Sequence, residues 1–240
     1  MNQFSRTEAL LGADAMARLA AARVAVFGLG GVGGHAAEAL ARSGVGAIDL
    51  IDNDRVSETN LNRQLVALHS TVGMPKVEAL AQRLRDINPD IRLTLHPLFY
   101  LPETADAVNL SVYDCVLDAV DTVSAKLELI VRTNRLGIPL ISAMGAGNKL
   151  DPTQLRSADI YETRECRLAR VIRSECRKRG VGSLRVVYSP EPPVITAADT
   201  EEAPPDGRRA IPGSAAFVPA AMGLIMAAEA VGRLATGSWR

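Results

Sequence analysis

With 240 residues, 48% of them apolar and 22% charged, the chain can bury a sizeable core, as one domain or as one domain with an elaborated second half. Lysine plus arginine and aspartate plus glutamate balance at 27 each, which excludes a chain-wide field for nucleic acid and leaves a local patch open. Cys115, Cys166 and Cys176 form no CxxC pair, which argues against a disulfide framework and a four-thiolate zinc site and fits a reducing cytoplasm.

Taken in order, residues 1–22 read as an N-terminal helical arm, with Leu10, Leu11, Met16 and Leu19 as its apolar positions over 4–22. Arg6, Glu8 and Asp14 interrupt any apolar run there, so no secretory leader is expected. The β-branched and aromatic run over 24–27 predicts a buried strand. Gly28, Gly30 and Gly33, with Gly31 between them, then let the backbone turn tightly and approach a phosphate, and a helix beginning near Val32 aims its free N–H groups at that anion. Alone, this loop suits a dinucleotide, a mononucleotide or a packing turn.

The alanine-rich helix over 36–42 ends at Gly44 and Gly46, and a second strand over 47–51 closes on Asp52. Pro75 and Pro89 bracket a helix over 76–87. Strands follow over 91–98 and 113–119, then a helix over 124–136 stopped by Gly137, then a strand over 139–143 leading into the Gly-Ala-Gly-Asn loop of 145–148. Strands alternating with helices predict an α/β fold, a Rossmann-like doubly wound and mostly parallel sheet over 23–149. Residues 150–240 read as a C-terminal elaboration: a strand over 155–161, a basic helix over 164–179, a strand over 184–188, a mobile acidic and proline-rich loop over 190–213, and an apolar helix over 215–228. That last stretch stops at Glu229, short of the ~20 residues that span a bilayer, so it reads as a buried helix, with a membrane anchor as the alternative.

Asp52, 24 positions after Gly28, suits a ribose diol in a dehydrogenase or in an ATP enzyme. The polar cluster from Asp52 through Asp54, Arg55, Asn60, Asn62, Arg63 and Gln64 has no purpose in hydride transfer. Its carboxylates, amides and guanidinium instead suit ribose, metal and triphosphate. Lys76 adds a second cation, and Asp121, just past a strand end, is placed to hold a magnesium ion that bridges phosphates. Arg63 or Lys76 alone would read as a solvated surface charge, whereas with Asp52, Asp54, Asn60 and Asp121 they form a specific set.

The runs GLGGVG (28–33), DNDRVSETNLNRQ (52–64), VGMPKVEAL (72–80) and DAVDT (118–122), in this order and spacing, resemble the ATP-binding core of the adenylating superfamily that includes ubiquitin-activating enzymes and bacterial sulfur-carrier adenylyltransferases. The likeness covers 4 to about 148. It implies Asp52 on the ribose, Asn60, Arg63 and Lys76 on the phosphates, Asp121 on magnesium, and Arg6 in the active site of the partner subunit of a homodimer. Asp54 and Gln64 join the ATP-binding set. Thr122 departs from the asparagine that many relatives have. The implied chemistry is attack of a carboxylate on the ATP α-phosphate, with magnesium and without the zinc or thioester cysteine of some relatives; a monovalent cation stays open. Cys166 and Cys176 are expected to be incidental.

On the basic helix, Arg167, Arg170, Arg173 and Arg177, with Lys178 beside them, recur at helical spacing opposite Leu168, Val171 and Ile172. A phosphate backbone could lie along them, or they form an ordinary solvated face. The runs VVYSPEPP (186–193) and GSAAFVPAAMGLIMAAEAV (213–231) extend the resemblance to the branch of the superfamily that dehydrates threonylcarbamoyladenosine in tRNA. That branch implies tRNA as substrate, ATP-driven adenylation and cyclisation, a cytoplasmic site of action, and a cysteine desulfurase or sulfur acceptor as a further partner. The alternatives are a sulfur-carrier adenylyltransferase and a non-catalytic tRNA-binding or sulfur-relay scaffold.

Overall fold

Four of the five residues of β1 (Arg23–Phe27) have no exposed surface, which is the pattern of a parallel strand covered on both faces. The computed structural model describes residues 2–195 and 212–239. In it α1 (Ser5–Leu11) and α2 (Ala13–Ala21) precede β1. There follow α3 (Gly33–Arg42), β2 (Ala47–Ile51), α4 (Lys76–Ile87), β3 (Arg92–His96), β4 (Cys115–Asp118), α5 (Val123–Leu136) and β5 (Leu140–Ala143). The elaboration supplies β6 (Arg156–Asp159), α6 (Arg167–Lys178), β7 (Arg185–Tyr188) and α7 (Phe217–Thr236).

These strands make one seven-stranded sheet in the order β3-β2-β1-β4-β5-β7-β6. All pairs are parallel except β6 with β7. After β1 the chain winds outward through β2 and β3, then returns to β4 on the other side, so a crevice opens at the carboxyl ends of β1 and β4. One apolar layer, with Leu40, Leu80 and Met222, packs on one face of the sheet. The other, with Phe27, Leu129 and Ile172, packs on the opposite face.

Three expectations need correction. The arm is two helices, because Gly12 takes a left-handed φ of +85° that breaks the helix in the middle. The terminal helix does not stop at Glu229: that carboxylate is buried and lies 2.8 Å from the Arg185 guanidinium, so a paired charge continues inside α7. α7 is long and apolar enough to cross a membrane by length and composition, yet 56% of its most apolar 18-residue stretch is buried inside the fold. On the basic helix, Val171 is 45% exposed, and the buried side is made by Ala169, Ile172 and Cys176. The expected mobile loop over 190–213 has neither helix nor strand at 190–195 and 212–213; its residues 196–211 lie outside the described residues.

Candidate active site

Gly28 leaves β1 with φ +83°, and a Cβ there would lie 2.7 Å from the Ala119 carbonyl oxygen, so the loop can pass the exit of β4 only as glycine. A Cβ on Gly33 would meet the Gly28 carbonyl oxygen at 1.8 Å, which seats the start of α3 directly behind the strand end. Among the described residues no side chain caps α3, and within the turn the Gly34 N–H donates to the Gly30 carbonyl at 3.1 Å.

Around this turn lies a cleft of about 680 Å³, within the range of small-molecule sites. Gly28, Gly30, Gly31, Asp52, Asp54, Asn60, Arg63, Gln64, Lys76 and Asp121 all line it. Gly33 stands behind the wall, and Arg6, exposed on α1, does not reach the cleft of its own chain.

Asp52, at the end of β2, accepts from the Leu29 N–H at 2.7 Å and from the Asp54 N–H at 2.8 Å, one bond to each oxygen. The carboxyl is thereby tied to the glycine loop. Burial raises it above its ordinary pKa, against the pull of the Lys76 ammonium and of these two amides. Asn60 accepts from the Ser57 N–H at 3.1 Å and closes the turn that carries Arg63. Arg63 is half-buried and donates to the Thr59 carbonyl at 2.9 Å and to Asn62 Oδ1 at 2.8 Å. Lys76 opens α4 and is buried, with its Nζ 2.7 Å from the exposed carboxylate of Asp54. Among the described residues the buried Gln64 Oε1 has no hydrogen-bond partner.

Asp121 is exposed at the cleft, and among the described residues no group of three metal-ligating side chains gathers there or elsewhere. A lone carboxylate fits a hard cation that arrives with phosphates rather than one caged by protein, so Asp121 would hold magnesium together with the nucleotide. The apolar end of the cleft, made by Phe27, Ile51, Leu98, Phe99 and Tyr100, is absent from the motif set. Its signal was two aromatics in the loop directly after a strand's carboxyl end.

The sequence profile of the ThiF family matches residues 4–237. The chain belongs to the ThiF family. It is 44% identical over 238 residues to the tRNA threonylcarbamoyladenosine dehydratase of Bacillus subtilis, covering 96% of this chain and 94% of that one. It is 41% identical over 205 residues to the Escherichia coli enzyme of the same name, covering 82% and 76%. Among solved structures, the Escherichia coli tRNA N6-threonylcarbamoyladenosine dehydratase in complex with AMP superposes with a TM-score of 0.87 at 36% identity, over 97% of this chain and 93% of that one. Its complex with ATP gives a TM-score of 0.84.

Outside the cleft, this ThiF chain carries its basic residues in unequal states. Arg167 and Arg170 are exposed and make no hydrogen bond or ion pair among the described residues. Arg173 turns inward and donates to the Thr163 carbonyl and hydroxyl, both at 2.7 Å. Arg177 lies over the Tyr161 ring at 5.4 Å, and Lys178 pairs with Glu175 at 2.7 Å. The cysteines are all buried. Cys166 caps α6 by accepting from the Ala169 N–H, and burial pushes the Cys176 thiol up to about 11 and the Cys115 thiol up to about 12, which suits packing rather than nucleophilic attack.

Proposed function

We propose that the protein is an ATP-dependent tRNA threonylcarbamoyladenosine dehydratase. The observation that carries this reading is the joining of Asp52, Arg63, Lys76 and Asp121 in one cleft, on a chain similar from end to end to dehydratases of that name. In the first half-reaction the substrate carboxylate attacks the ATP α-phosphorus, and pyrophosphate leaves. Asp52, held by the Leu29 and Asp54 amides, accepts from the ribose hydroxyls. Arg63 and Lys76, both in the lining of the cleft, neutralise charge that grows on the phosphates. Magnesium on Asp121, when bound, supplies further charge neutralisation at the phosphates.

In the second half-reaction the carbamoyl nitrogen attacks the activated acyl carbon, loses its proton, and expels AMP. The nucleophile is part of the substrate, so its effective concentration is high without any enzyme thioester. This agrees with the burial of all three cysteines, which pushes the Cys115 and Cys176 thiols up. Arg6, exposed on α1 and remote from its own cleft, serves the cleft of a partner copy in a homodimer. Arg167 and Arg170 lead the tRNA contact, followed by Arg177 and Lys178, with Arg173 holding the helix in place. Buried thiols and a terminal helix more than half inside the fold support action in the cytoplasm. A cysteine desulfurase or sulfur acceptor as partner rests on the resemblance alone.

The test is incubation with ATP, magnesium and tRNA bearing threonylcarbamoyladenosine, followed by mass spectrometry of the nucleosides. The expected result is the loss of one water from the modified nucleoside with stoichiometric AMP. An unchanged nucleoside in the presence of ATP-binding protein overturns the reading.

A further inference from the structure

Beneath the Asp121 turn lies a charged pair that no nucleotide motif includes. Lys126 Nζ is 2.7 Å from Asp118 Oδ2, and neither side chain has any exposed surface. The same ammonium donates to Ser142 Oγ at 3.2 Å and to the Ala143 carbonyl at 2.9 Å, which uses all three of its protons. Ser142 Oγ donates to Asp118 Oδ2 at 2.6 Å, and the Val120 N–H donates to Asp118 Oδ1 at 3.2 Å. The network therefore fastens the end of β4, the first turn of α5 and the end of β5 to one another.

Stability does not account for this arrangement. An ammonium in the first turn of a helix opposes the helix dipole. A fully buried ion pair is commonly no better than well-packed apolar side chains of equal volume. What the network does accomplish is geometric: it closes the arch from Asp118 to Lys126, and Ala119, Val120, Asp121, Thr122 and Ala125 of that arch line the cleft. The Ala119 N–H donates to the Phe27 carbonyl at 2.8 Å, which ties the arch to the glycine-loop side as well.

We propose that Lys126 is a positioning residue for the nucleotide half-reaction: through Asp118 it sets the turn that presents Asp121 to the magnesium-bound phosphates. This rests on Asp121 as the magnesium carboxylate in the function proposed above. Lys126 itself touches neither nucleotide nor metal.

The test compares the wild type with D118N/K126M, in which the buried pair is replaced by neutral groups, and with S142A, which removes one hydroxyl from the network. ATP affinity is measured by calorimetry in EDTA and across a magnesium titration, beside melting temperature and the kcat and KM of AMP formation. In D118N/K126M the ATP affinity in EDTA should stay within about twofold, while the magnesium concentration needed for tight binding should rise about tenfold, or roughly 1.4 kcal/mol, and kcat should fall at least as much. S142A should shift the magnesium requirement in the same direction by about threefold, and it decides the matter if the double variant does not fold. A lowered melting temperature with wild-type magnesium dependence and kcat overturns the proposal. A wild type that binds magnesium and ATP yet leaves modified tRNA unchanged overturns the dehydratase reading instead, and leaves the calorimetric comparison intact.

Discussion

Lys76 Nζ rests 2.7 Å from Asp54 Oδ2, so the buried cation of the cleft has a counter-ion before any nucleotide arrives. On the proposed function, phosphates entering the cleft would compete with Asp54 for that ammonium. Replacing Lys76 by alanine should lower AMP formation ~100-fold if it neutralises charge in the transition state. Replacing Asp54 by asparagine should leave Lys76 without its partner and so lower the melting temperature without nucleotide. ATP should then restore more stability to D54N than to the wild type, because binding contributes only to the folded form. Thermal melts of both proteins with and without ATP check this, and equal ATP-induced shifts would refute the competition.

Among the described residues Arg63 makes only local bonds, to Thr59 and Asn62. Its replacement by alanine should therefore reduce AMP formation ~100-fold while changing the melting temperature little. Parallel loss of stability and rate would mean that the guanidinium holds the loop rather than the phosphates.

On α6 the division of labour among arginines yields a separable pair of outcomes. R167E/R170E should weaken tRNA binding and reduce the slope of log affinity against log salt by about two, with ATP affinity unchanged. R173E should instead destabilise the fold, since it removes both donors to Thr163. Filter binding across a salt series, with calorimetry for ATP, distinguishes the two; a fall in ATP affinity for R167E/R170E would attach the stripe to the nucleotide site.

Asp49 is buried in β2 and accepts from Arg23 at 2.9 Å, from the Tyr113 hydroxyl at 2.8 Å, and lies 2.9 Å from His96 Nε2. Burial pushes its carboxyl up, but the hydrogen bonds from His96, Arg23 and Tyr113 outweigh that and hold it down at about 2, against an ordinary 3.8. A pKa lowered by folding adds stability above the unfolded value, and that contribution is lost as pH falls through the folded one. The stability difference between the wild type and D49N should therefore be constant above about pH 5 and shrink as pH drops toward about 2. Denaturant titrations at several pH values measure it, and a difference independent of pH would show that Asp49 acts by packing alone.

Much of the cleft was legible because its parts are contiguous. The glycine loop and the run from Asp52 to Gln64 each put several ligand-facing groups on one short segment. Element bounds were clearest where proline or glycine punctuates the chain: α4 spans Lys76–Ile87, between Pro75 and Pro89, and α5 ends at Gly137 with φ +69°. What stayed hidden depends on partners distant in sequence. Lys126 belongs to no motif, and its role depends on Ser142 and Ala143, 16 and 17 positions later, whose oxygens accept from it. Glu229 reads as a helix stop until Arg185, 44 positions earlier, neutralises it. Val171 misled because an apolar residue at helical spacing need not be on the buried side.

The last helix has a consequence for how the protein is made. Pro219 of α7 lines the cleft, and a Cβ on Gly223 would lie 2.2 Å from the Val32 carbonyl oxygen at the start of α3. The glycine-loop backbone that lines the cleft is thus buttressed by residues synthesised long after it. A nascent chain that has emerged as far as the Gly-Ala-Gly-Asn loop carries every nucleotide motif but lacks the wall against which the first of them is set. Competence to bind ATP should therefore follow the emergence and docking of α7, so that chains truncated before it have the motifs without the means to bind and consume nucleotide.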